Sequence, residues 1–141
     1  MNLVVDASVA IKWLIEEADT DRAEALLDLC RVGKYVSLAP DLLAAEVSSV
    51  LWRRVRQGTL QARQAEVLFA SFNRICPVLK PLQDLCDHAL QLALTYQHSV
   101  YDCLYLALAL ERRCDLITAD GKFHRAFFPT YPEVKLLHDW I

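Results

Sequence analysis

Short apolar, β-branched runs, each separated from the next by a long stretch with helical spacing, are what most constrain this chain. Leu3-Val4-Val5, residues 35–39, residues 75–79, Leu116-Ile117-Thr118 and residues 134–137 read as strands. Between them the apolar positions recur every three or four residues. Val9, Trp13 and Leu14 follow the first strand, and Ala23, Leu26, Leu27 and Cys30 mark a helix from Asp19 or Thr20 to a stop near Gly33. Leu43, Val47, Val50 and Leu51 mark one that starts at Pro40-Asp41 and ends in basic residues before Gly58, and residues 61–73 form another. Asp84 reads as the cap of a helix to Tyr96, Ser99 as the cap of one over 100–113, and a short helix covers 122–127. Hairpins join strands through two to five residues, so connections of this length imply right-handed crossovers and a parallel sheet. The fold class is α/β.

Composition narrows the class of protein. A chain of 141 residues, 55% hydrophobic and 23% charged, fits one core-bearing domain over 1–141, with no repeat or linker to divide it. The longest apolar run, Cys103 to Leu110, is far short of the roughly 20 residues that span a bilayer, and no basic-then-apolar leader opens the chain. A cytoplasmic protein without membrane contact is expected. Cys30, Cys76, Cys86, Cys103 and Cys114 contain no CxxC pair and read as reduced core residues. His88, His98, His124 and His138 lack the spacing that zinc needs. A net charge of −3 opposes indiscriminate binding to nucleic acid but leaves room for a local basic patch.

In an open parallel sheet the carboxyl ends of the strands share one rim, and ligands bind there where the strand order reverses. Asp6 ends the first strand and Asp120 follows the fourth. Either could instead be ordinary, Asp6 as a helix cap and Asp120-Gly121 as a turn. Glu46 falls on the apolar stripe of its helix, where an unpaired carboxylate needs a cation, a donor or an arginine partner. Asp102 interrupts a helix start that is apolar on nearly every face; with Ser99 as N-cap it could also complete a capping box. Four carboxylates converging within about 5 Å would cost on the order of 4 kcal/mol per close pair at an effective dielectric of 20. Hard oxygen donors without a histidine or thiolate set select Mg²⁺ or Mn²⁺, and such an ion can activate water against a phosphodiester.

These segments resemble the PIN-domain family, in particular the VapC-type toxins of toxin–antitoxin pairs. Val4-Val5-Asp6-Ala7-Ser8 looks like the family's opening strand with its first catalytic Asp. The stretch from Pro40 to Val47 is similar to the segment carrying the family's Glu, Tyr101 to Ala109 resembles the third motif, and Leu116-Ile117-Thr118-Ala119-Asp120 the fourth. The resemblance implies a three-layer sandwich, with a central parallel sheet of four to five strands flanked by helices. It implies that Asp6, Glu46, Asp102 and Asp120 bind one or two Mg²⁺ or Mn²⁺ ions and form the catalytic set, with Ser8 and Thr118 as supporting hydroxyls. It also implies an RNA substrate, a cognate antitoxin and a homodimer.

Lys12, Arg53, Arg54, Arg56, Arg63, Lys122 and Arg125 are candidates to steer the phosphate backbone, or else solvated charges on helix faces. Trp13, Trp52 and Trp140 could stack on bases or anchor an antitoxin, though their spacing favours core or dimer packing. Two other readings compete. An aspartyl phosphotransferase or receiver would want Asp-x-Asp or an acidic pair at the first strand, where this chain has Asp6-Ala7-Ser8. A non-enzymatic module could bind metal and a basic peptide in the same pocket without turnover.

Overall fold

The computed structural model describes residues 1–140. Ile141, the last residue of the domain expected above, lies outside the described residues. The elements run β1 (Asn2–Val5), α1 (Ala7–Ala10, extended by a 3-10 turn Ile11–Trp13), α2 (Thr20–Arg31), β2 (Val36–Pro40), α3 (Leu42–Arg56) and α4 (Ala62–Ile75). They continue β3 (Val78–Lys80), α5 (Cys86–Tyr96), α6 (Val100–Arg112), β4 (Asp115–Thr118), α7 (Gly121–Phe127), β5 (Val134–Leu136) and α8 (Leu137–Trp140). The strands form one five-stranded sheet in the order β3-β2-β1-β4-β5, and every pairing is parallel. The chain steps outward from β1 through β2 to β3 and then crosses back to place β4 on the other flank of β1. The switch point therefore lies between β1 and β4, in register through Val4↔Leu116 and Val5↔Ile117.

Alternation along the strands explains the three layers. Leu3 and Val5 of β1 and Ile117 of β4 pack with Val9, Ala23, Leu26 and Leu137 on one face. Val4, Leu38, Leu116 and Val134 meet Leu43, Val47, Phe72 and the buried α6 stretch on the other. In α6 every residue from Cys103 to Ala109 is buried, so this helix has no solvated face over two turns. Each fully buried leucine there contributes roughly 1.5–3 kcal/mol, which anchors the helix that carries Asp102.

Helices α2 and α3 end alike. Gly33 and Gly58 both take φ of 78°, and the amides after them reach back, Lys34 N–H to Leu29 C=O and Thr59 N–H to Arg54 C=O, each at 3.0 Å. This closure needs a left-handed residue, which glycine adopts without strain.

Several expected boundaries differ, among them Pro40, which closes β2 rather than opening the next helix. The third strand is expected at 75–79, but Ile75 continues the α4 spacing of Leu68 and Phe72, and the strand starts only after Pro77. Cys76, the residue before that proline, is extended (φ −57°, ψ 135°), as its steric clash requires. Asp84 caps nothing: it sits inside a 3-10 turn, Gln83–Leu85, and α5 begins at Cys86 without a side-chain cap. Tyr35 lies outside β2, and Leu137 opens α8 rather than closing β5. Among the described residues no helix is long and apolar enough to cross a membrane.

Candidate active site

Asp6 is delivered to the switch point by β1 and is only 8% exposed. Its backbone is still extended (φ −98°, ψ 178°), and its Oδ1 caps α1 by accepting from Val9 N–H at 3.3 Å. Ser8 Oγ donates to Oδ1 and Thr118 Oγ1 to Oδ2, each at 2.5 Å. Ser8 is itself fixed by the Ala119 amide, which donates to its Oγ at 2.8 Å, so β1 and β4 are stitched together across the rim. Burial nevertheless pushes the Asp6 carboxyl up to about 6; the hydroxyls and the Val9 amide pull it down, and the charge of Asp102 adds to the rise. Among the described residues no lysine, arginine or histidine pairs with Asp6.

Glu46 and Asp102 come from helices. Glu46, half-buried on α3, accepts from the Tyr105 hydroxyl at 2.6 Å. Burial raises its carboxyl above the ordinary range, as does Asp102, while Tyr105 and Arg53 lower it. Arg53 lies seven residues on, two turns along the same helix face. Tyr105 has its phenol pushed up by burial and by Glu46, Asp6 and Asp102 together, so it stays a hydrogen-bond donor at any physiological pH. Asp102, in the first turn of α6, has Oδ2 at 2.9 Å from His98 Nε2. Ser99 accepts from Tyr101 N–H, and the capping box weighed as the alternative for Asp102 is not formed.

Asp120 is exposed and turned onto α7, where Oδ1 accepts from Lys122 N–H at 2.9 Å and Phe123 N–H at 3.3 Å. The capping role weighed for Asp6 is thus real, and Asp120, weighed as part of a turn, is a helix cap as well. Among the described residues no three acidic, histidine or cysteine side chains are already gathered at metal-holding distance. Each carboxylate has its own hydrogen-bond partner: hydroxyls for Asp6, Tyr105 for Glu46, His98 for Asp102 and helix amides for Asp120. The charge of Asp102 nevertheless bears on both Asp6 and Glu46. In donor type this set fits a hard divalent cation.

Sequence reasoning missed Tyr105 and His98. The signal for Tyr105 was its position one turn after Asp102; for His98 it was the i, i+4 spacing before Asp102. The expectation of no histidine beside the carboxylates is corrected accordingly. Two of the expected steering residues are already engaged, since Glu17 holds Lys12 at 3.6 Å and Arg54 at 3.0 Å. Arg53 and Lys122 are exposed, as are Arg63 and Arg125, whereas Arg56 lies over the Trp52 ring at 5.5 Å. Trp13 donates to Ala23 C=O and Trp140 packs on Tyr35, whereas Trp52 is 60% exposed and lies outside the core. All five cysteines are free, and Cys86 is exposed rather than core. An apolar groove of about 540 Å³ between α3 and α4 contains none of the four acidic residues.

The fold is that of a parallel α/β domain with a buried carboxylate, Asp6, at its switch point, held by two hydroxyls. A family model described as PIN domain matches residues 3–128, and the chain belongs to the PIN-domain family. Ribonuclease VapC3 of Pyrobaculum aerophilum is 30% identical over 129 residues, spanning 90% of this chain and 95% of that protein. VapC20 of Mycobacterium tuberculosis, described as a sarcin–ricin loop cleaving toxin, shares the fold with a TM-score of 0.67 at 20% identity, over 89% of this chain and 95% of that one. VapBC2 of Rickettsia felis, solved with a DNA fragment from its promoter, gives a TM-score of 0.68 at 13% identity, over 96% and 97%. PIN-domain VapC nucleases are in general dependent on a divalent metal.

Proposed function

We propose that this protein is a Mg²⁺- or Mn²⁺-dependent endoribonuclease, the toxin of a type II toxin–antitoxin pair, with Asp6, Glu46, Asp102 and Asp120 as its metal-binding and catalytic set. One observation carries the reading: Asp6 is buried at the switch point with no cationic partner among the described residues, and the charge of Asp102 bears on it. A carboxylate so placed is expensive to keep ionised unless a cation joins it. A divalent ion held by this set supplies Lewis acidity toward a phosphoryl oxygen and makes water a better nucleophile at neutral pH.

The chain's own residues do the positioning. Ser8 and Thr118 fix both oxygens of Asp6, and Tyr105 fixes one oxygen of Glu46. Asp120, at the amino end of α7, is presented to the same rim from β4. Arg53 and Lys122, exposed and close in sequence to Glu46 and Asp120, draw the phosphate backbone toward the carboxylates; Lys12 and Arg54 instead hold Glu17. Hydrolysis of RNA is supported by the VapC3 relative and a cognate antitoxin by the VapBC2 neighbour. A homodimer and a cytoplasmic location complete the reading as its family resemblance suggests.

The test is cleavage of labelled RNA by the purified protein in Mg²⁺ or Mn²⁺ and in EDTA, beside Asp102→Asn prepared identically. Cleavage that needs the metal and vanishes in the variant is expected. Undiminished cleavage in EDTA would remove the metal mechanism, and full activity of the variant would move the site elsewhere.

A further inference from the structure

We propose that His98 is a positioning residue for Asp102, holding that carboxylate's orientation from behind and thereby setting the affinity of the acidic rim for its divalent ion. The inference rests on the metal-dependent reading above and extends it to a residue outside the carboxylate set.

His98 sits in the turn between α5 and α6. Gln97 ends α5 in the left-handed region (φ 52°), the His98 amide returns to Ala93 C=O at 3.2 Å, and Ser99 caps α6. The backbone of the residue is thus pinned from both sides. Its ring is pinned as well: it meets Phe123 edge-on at 5.4 Å and 87°, and Phe127 at 5.2 Å and 77°. Both phenylalanines are buried, and both belong to α7, the helix that begins at Asp120. The His98 side chain is 13% exposed against 36% for Asp102, so the histidine lies behind the carboxylate and not in front of it. An ionised carboxylate can only accept, so Nε2 carries the hydrogen of the 2.9 Å bond to Oδ2. Fixing one oxygen fixes the rotation of the group, and with it the position of the other.

The arrangement links two of the four carboxylates through one packed unit. Helix α7 presents Asp120 at its amino end and, through Phe123 and Phe127, braces the ring that orients Asp102. Hydrogen-bond partners that orient metal-ligating carboxylates commonly contribute 10–100-fold in metal affinity. A histidine that served only to fill space between α5, α6 and α7 would contribute nothing once another ring replaced it.

Two variants separate these roles. His98→Phe keeps an aromatic ring against Phe123 and Phe127 but donates nothing, whereas His98→Gln keeps an N–H donor and loses the ring. Mn²⁺ affinity, read from the electron paramagnetic resonance signal of the free ion, should fall about 10–100-fold in His98→Phe. His98→Gln should recover most of that loss, and thermal melting of the metal-free proteins serves as the check on folding. Wild-type affinity in a folded His98→Phe would overturn the proposal. So would an equal loss in both variants; should His98→Phe fail to fold, a tenfold loss in a folded His98→Gln decides against it. Failure of the wild type itself to bind Mn²⁺ would overturn the metal-dependent reading along with this one, whereas unchanged variants beside a Mn²⁺-binding wild type would sink this one alone.

Discussion

Asp6 and Asp120 leave the carboxyl ends of neighbouring parallel strands, and each caps the helix that follows, yet their surroundings are opposite. Asp6 is 8% exposed and held by two hydroxyls and an amide, and its carboxyl is pushed up to about 6. Asp120 is exposed, and two helix amides donate to it at the favourable end of the α7 dipole. Backbone position alone therefore does not set a carboxylate's electrostatics. What distinguishes Asp6 is that the fold gives up stability to keep a charge where water and protein cations are scarce. Strain of this electrostatic kind is relieved by a cation, and α7 already relieves it for Asp120.

Asp6→Asn should act most strongly, abolishing RNA cleavage while making the fold more resistant to urea at neutral pH. The native carboxyl is raised from 3.8 to about 6, so the folded state holds its proton more tightly than the unfolded chain does. The associated stability is present below pH 4 and is lost as pH rises through 6. The difference between the folded and unfolded carboxyl corresponds to an upper bound of about 3 kcal/mol. Urea unfolding from pH 4 to 7 in metal-free buffer checks it: the wild type should lose stability over that window relative to the variant, and parallel curves would erase the contrast between the two aspartates.

A smaller effect is expected at Thr118→Val, which keeps the shape of a fully buried side chain but deletes the donor to Asp6 Oδ2 and the acceptor for Asp120 N–H. A loss of about 1–3 kcal/mol should follow, together with a further rise in the Asp6 pKa, both readable from the same urea series. Asp120→Asn should change stability least, by a few tenths of a kcal/mol, because asparagine caps helices as well as aspartate does. Its cleavage rate should nevertheless fall if Asp120 belongs to the catalytic set; an unchanged rate would reduce Asp120 to a cap.

The α/β order, the parallel sheet and the strand ends were legible because helical and strand periodicities are local, and Asp6 and Asp120 stand out where one period yields to the other. The errors fall where local pattern is ambiguous: Ile75 fits both a helix and a strand, and Leu137 continues an apolar run after the ladder has ended. The donors behind the carboxylates were not legible. Tyr105 looks like one more core residue in an apolar helix, and only the chain partner 59 positions earlier shows what its hydroxyl does. Glu17 claims Arg54 across 37 residues, a pairing that no spacing rule contains. His98 was within reach, four residues before Asp102, but its ring direction depends on how α7 packs.

Whether the rim is built to receive a cation is decided by the melting temperature of the wild type and of Asp6→Asn with and without millimolar Mn²⁺. Mn²⁺ should raise the wild-type midpoint by several degrees, since an ion that binds only the folded state stabilises it by mass action, and should leave the variant unmoved. An equal response in the two proteins, or none in the wild type, would contradict a cation-receiving rim.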